Sequence, residues 1–172
     1  MKYLAAYGPD LQNKVAQLRD SGQLAQVLRA RYPDSHTVRT DKALYDYVMD
    51  LKSAYMRNGA PISKVAFDSK IQIVAHALGQ HMTISRVQGS KLKTKHEIKV
   101  AALFRETPEP FLKMIVVHEL AHLKEKQHDK AFYQLCMLME PNYHQYEFDL
   151  RVYLTHLDQP SAQALWTTAP NA

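Results

Sequence analysis

His118, Glu119 and His122 are the residues of this chain whose types and spacing point most directly to chemistry. On a helix, His118 and His122 lie one turn apart, so both imidazoles leave the same face and can meet at one metal ion. Glu119 is turned from them by about 100° around the axis. Its carboxylate therefore stands beside such an ion rather than on it, where it can take a proton from a bound water. This is the HExxH arrangement of zinc hydrolases.

The helix that must carry the motif is marked by its neighbours. FLKMIVV, immediately before it, is strongly apolar, and Thr107 and Pro108 supply helix-start chemistry as N-cap and first helical residue. Unpaired polar groups on a helix so buried cost on the order of 1 to 3 kcal/mol each, and a bound cation compensates them. His128 follows ten positions after His118. On one straight helix it would lie about 280° around and face away, so the helix has to stop before His128 can join the other two. The stretch 124–127 is polar and Asp129 is an N-cap for a following helix, AFYQLCMLM. A turn near 125–128 can swing His128 back over the site; the alternative is a solvated loop histidine.

HELAHLKEKQHDKAFYQLC, with ISRVQGSKLKTKHEIKVAALF upstream and MEPNYHQYEFDLRVYLTHLD downstream, resembles the YgjP-like metallopeptidase domain family, zincin-type proteins related to SprT-like metalloproteases. The resemblance covers roughly residues 62–158. It implies that His118, His122 and His128 are zinc ligands, that Glu119 is the general base, and that a sheet edge beside the metal helix receives an extended peptide. It also admits hydrolysis of nucleotide pyrophosphates, to which members of the family have been linked.

Composition sets the outer limits. Hydrophobic residues at 46% and charged residues at 23% of 172 are ordinary for a soluble globular protein. No apolar run approaches the length of a membrane span, and the N-terminus, MKYLAAYGPD, does not read as a secretory signal. The single cysteine, Cys136, has no internal disulfide partner and suits a reducing cytoplasm, the expected location. A net charge of +5 permits acidic, nucleotide or nucleic-acid partners without requiring any of them.

Along the chain, residues 1–60 read as an N-terminal helical region, 61–158 as the zincin-like metallopeptidase domain, and 159–172 as a mobile tail. Leu11, Val15, Leu18, Leu24, Val27 and Leu28 fall at helical spacing on either side of the Ser21-Gly22 break. A longer helix over 41–57 carries Leu44, Val48, Leu51 and Tyr55, with Thr40 or Asp41 to cap it and Asn58-Gly59 as a left-handed stop. Residues 64–68 alternate like a strand, 71–79 fit either a helix or a strand, and 83–88 and 97–104 read as an antiparallel pair joined by GSKLKTK. Residues 144–157 form the last helix. The expected fold is α+β and zincin-like, a small antiparallel sheet packed on a central HExxH helix with additional helices at both ends.

Other residues have roles to fill. A zinc hydrolase needs a donor near the oxygen that becomes negative in the transition state, and Tyr143, His144, Tyr146 and Arg151 are the candidates. Glu140 and Glu147 are alternative third ligands, and Glu147 or Asp149 can instead hold a ligand imidazole from behind. The hairpin is basic, with Arg86, Lys91, Lys93 and Lys95 as substrate or phosphate contacts, although lysines there also keep a sheet edge soluble. No aromatic interleaving supports single-strand stacking, so nucleic acid is a weak candidate partner.

The function these observations favour is zinc-dependent hydrolysis, with a peptide or protein as substrate. A metal-dependent nucleoside triphosphate pyrophosphatase acting on a nucleotide is the first alternative. A zinc-containing module that binds nucleic acid or protein without catalysis is the second.

Overall fold

The computed structural model describes residues 1–71 and 96–167. A short 3-10 turn, Lys2–Leu4, leads into α1 (Pro9–Asp20) and α2 (Leu24–Arg31). Gly22 between them takes φ 72°, a left-handed conformation that glycine adopts without a steric cost. Val15, Leu24 and Leu28 are buried, whereas Leu11 and Val27 are on the exposed side. Helix α3 (Asp41–Tyr55) is capped by Thr40, whose Oγ1 accepts from the Ala43 N–H at 3.1 Å. Asp41 does something the sequence does not announce: its Oδ1 accepts from the Phe67 N–H at 2.9 Å and ties α3 to the sheet. Gly59 is not the left-handed stop expected after this helix, since Gly22 is the one glycine with positive φ among the described residues. Its role is close approach, because a Cβ there would stand 3.0 Å from the Met56 carbonyl oxygen.

The sheet corrects the expected topology. Strand β1 (Ile62–Asp68) pairs with β2 (His96–Ala101) in parallel, from Ile62 opposite His96 to Asp68 opposite Ala101. A parallel pair needs a crossover of a dozen or more residues, and 69–95 is long enough to provide it. The predicted strand 83–88, the turn after it and nearly all of 71–79 lie outside the described residues. The predicted strand 97–104 stops at Ala101 and turns into a 3-10 segment, Ala102–Arg105.

Helix α4 (Glu109–His122) carries the motif and is buried on almost every side; from Phe111 to Ala121 only Lys113 is not buried. Its start differs from the reading above. Pro108 occupies the capping position, and the Thr107 hydroxyl donates to the Phe104 carbonyl at 3.3 Å rather than capping the helix. Helix α5 (Lys130–Met139) is capped as expected by Asp129, which accepts from the Phe132 N–H at 3.0 Å. Helix α6 (Tyr143–Leu157) packs with α5 against α4. Helix α2 docks on α6, where the buried Asp149 receives Arg31, the Tyr32 hydroxyl and Gln145. Trp166, in the segment expected to be a mobile tail, is buried with its ring against Phe111 and Tyr153, and its indole N–H donates to the Tyr32 carbonyl at 2.7 Å. The architecture is α+β, with six α-helices and a two-stranded parallel sheet among the described residues. None of these helices is long and apolar enough to cross a membrane.

Candidate metal centre

Helix α4 ends at His122 because the chain tightens there. The Glu125 N–H still reaches the Ala121 carbonyl at 2.8 Å, but the residues beyond leave the helix axis. The turn that follows brings His128 back. The Nε2 atoms of the three histidines then converge: 3.1 Å separates His118 from His122, 3.0 Å His122 from His128, and 3.3 Å His128 from His118. His118 is buried, and the other two are half-buried. Phe132, one turn into α5, lies under all three rings, with centroid distances of 5.0, 4.6 and 4.8 Å.

These nitrogens fit a divalent cation. A tetrahedral ion with bonds of about 2.0–2.1 Å to nitrogen separates its ligands by roughly 3.3 Å, close to the spacing found. Three lone pairs held so near one another repel unless a positive charge lies between them. Two of the remaining ring nitrogens, those of His122 and His118, are engaged in the manner a ligand set requires. Nδ1 of His122 donates to the Glu125 carbonyl at 3.0 Å, and Nδ1 of His118 lies 2.8 Å from the Tyr143 hydroxyl. No fourth His, Cys, Asp or Glu joins the group among the described residues, which leaves room for water or substrate. Nitrogen-only ligation suits zinc and its neighbours better than magnesium or calcium. Glu119, next to His118 on the helix, is 1% exposed, and burial pushes its carboxyl well above the usual range.

Residues 63–153 match the YgjP-like metallopeptidase domain family. The chain belongs to the YgjP-like family. This YgjP-like chain is also 57% identical over 157 residues to the UTP pyrophosphatase of Escherichia coli (strain K12), an alignment that covers 91% of the chain and 94% of that relative. No solved structure matches it. The family description and the relative's name both indicate a hydrolase.

The other candidates of this YgjP-like chain fall into place unevenly. Tyr143 is fully buried behind His118, on the Nδ1 edge, which is the side away from the point where the three Nε2 atoms meet. His144 is exposed, with its ring 5.3 Å from that of Tyr133. Tyr146 is half-buried, with its ring 6.3 Å from Tyr32. Arg151 is buried and engaged elsewhere, donating from Nη2 to Glu147 at 3.0 Å and from Nη1 to the Tyr3 carbonyl at 3.1 Å. Glu140 turns to Lys113 and to the Asn142 N–H, and Asp149 belongs to the contact with α2. Arg86, Lys91, Lys93 and Lys95 lie outside the described residues. His36 is a core residue whose Nε2–H donates to the Phe104 carbonyl while Nδ1 accepts from the Val38 N–H. Phe132 is a contributor that the motif does not announce; the signal available was its place one turn after His128.

Proposed function

We propose that this chain is a metal-dependent nucleoside triphosphate pyrophosphatase that hydrolyses UTP or a close analogue, with His118, His122 and His128 holding a zinc ion and Glu119 as general base. The observation that carries this reading is the 57% identity, across nearly the whole of both chains, to a protein named UTP pyrophosphatase. That likeness favours a phosphoanhydride over the peptide bond that the HExxH motif alone suggests. A zincin-like arrangement of residues 61–158, braced by 1–60, is part of the same proposal.

A bound zinc ion supplies Lewis-acid polarisation of a phosphoryl oxygen and makes water more acidic. The chain's own residues do the rest. The Glu125 carbonyl keeps His122 in the tautomer whose Nε2 bears a lone pair. Phe132 closes the floor beneath the rings and excludes water from it. Glu119, next to His118 on α4, accepts a proton at its carboxylate as water attacks. The water oxygen bonds to phosphorus, the bridging P–O bond breaks, and pyrophosphate leaves with the electron pair. Arg86, Lys91, Lys93 and Lys95 have the charge to hold the triphosphate.

The test is a panel of nucleoside triphosphates and peptides offered to the zinc-loaded protein with and without chelator. The expected result is release of pyrophosphate from UTP that chelator abolishes, with a raised KM when Lys91, Lys93 and Lys95 are neutralised together. Cleavage of peptides with UTP left intact would support the metallopeptidase reading instead. Inactivity toward both classes would leave the non-catalytic binding module.

A further inference from the structure

Behind His118 the side chains form a line that the hydrolytic reading does not use. Tyr143 begins it, fully buried, with its hydroxyl 2.8 Å from His118 Nδ1. Glu147 lies one turn further along α6 and is half-buried. Arg151, another turn on, is buried and donates to Glu147 at 3.0 Å and to the Tyr3 carbonyl at 3.1 Å. The spacing of four along one helix stacks these three residues on one face. Leu4 is buried against the same helix, so the N-terminal turn closes the far end of the line.

The direction of the phenol proton decides what this line does. If Tyr143 donated to His118 Nδ1, the imidazole would carry its own proton on Nε2 and could not bind a cation there. A cation shared by the three Nε2 atoms needs the lone pair of His118 Nε2, so His118 carries its proton on Nδ1 and the phenol oxygen accepts it. The Nε2 lone pair is then aimed at the point shared with His122 and His128. The Arg151 guanidinium holds the Glu147 side chain in place.

We propose that Tyr143, oriented by Glu147 and Arg151, is a positioning residue that holds His118 in its cation-binding tautomer, so that the affinity of the site depends on α6 and on the N-terminal turn docked against it. The proposal rests on the reading of the three histidines as a cation site. It assigns His118 a support from outside its own helix, in contrast to His122, which takes its support from the Glu125 carbonyl in the turn just after α4.

Cobalt(II) and zinc titrations of the chelator-treated full chain test it, read by competition with a chromophoric chelator and by the cobalt visible spectrum. Tyr143→Phe is expected to weaken binding by about 10- to 100-fold and to alter the cobalt bands. Glu147→Gln, which leaves the ring packing in place, is expected to weaken it in the same direction by less. Asp149→Asn, on the same helix but outside the line, is expected to lower the unfolding midpoint with affinity unchanged. A Tyr143→Phe or Glu147→Gln protein that folds and binds cobalt as the unaltered chain does would overturn the proposal, as would an Asp149→Asn protein that loses affinity equally. An unaltered chain that binds no cation would remove the metal site itself, a result distinct from either.

Discussion

The Glu125 carbonyl and His122 Nδ1 stand 3.0 Å apart. A carbonyl can only accept, so Nδ1 carries the proton and Nε2 keeps its lone pair. The residue providing that carbonyl belongs to the turn that ends α4, and the same turn returns His128 to 3.0 Å from His122. One break in the helix thus orients the second imidazole and delivers the third.

Glu119→Gln is expected to retain one bound cation and the native circular dichroism while losing about 10²- to 10⁴-fold in turnover. The amide fits where the carboxyl was but takes no proton. Pyrophosphate release from UTP, measured beside cation stoichiometry, decides the matter; turnover equal to that of the unaltered chain would exclude Glu119 as the base.

The same substitution has a second consequence. Burial raises the folded pKa of Glu119 above its unfolded value, so the folded state holds the proton more tightly and stability falls as pH rises from the unfolded pKa of about 4.3 toward the folded one. Metal-free Glu119→Gln lacks this loss. Its melting temperature is expected to exceed that of the unaltered metal-free chain near pH 8 and to converge on it near pH 4. Scanning calorimetry across that range measures the gap, and a gap independent of pH would contradict the account.

Phe132 contributes through packing. Replacing it with Ala is expected to cost about 3–5 kcal/mol of stability, since it is fully buried beneath three imidazoles. Phe132→Leu is expected to cost less than about 1.5 kcal/mol yet still weaken cation binding, because the rings lose the flat surface they rest on. Denaturant unfolding and cation titration on the same two variants separate the effects.

Cys136 is expected to be inert. Burial first, and then the charge of Glu147, push its thiol up to about 12, so almost no thiolate forms near pH 8. A thiol reagent should label one cysteine per chain in denaturant and none in the native protein. Rapid native labelling would show that α5 opens.

The parts of this molecule that sequence made legible are those set by local geometry. His118 and His122 are one helical turn apart wherever the helix lies, and His128 can join them only across a break, so the triad could be read before any tertiary contact was known. Thr40 and Asp129 cap their helices because each side-chain oxygen accepts from the backbone N–H three residues further on. Strand direction is different, since alternation in 64–68 and 97–101 is the same whether the pair runs parallel or antiparallel. Thr107 and Pro108 read as N-cap and first helical residue, but the Phe104 carbonyl takes the Thr107 hydroxyl and the start of α4 moves one residue later. Tyr143 was recognisable as polar chemistry near the site, but whether it faces the reacting atoms or the back of His118 depends on the rotation of α6, which no local pattern records.

The most direct test combines cation and chemistry in one sample. Chelator-stripped protein is titrated with zinc while pyrophosphate release from UTP is followed. Turnover is expected to rise in proportion to added zinc and to stop rising at one ion per chain, with His128→Ala showing neither the break nor the activity. Full turnover in the stripped protein before any zinc is added, or undiminished activity in His128→Ala, would contradict the claim that three imidazoles form one catalytic cation site.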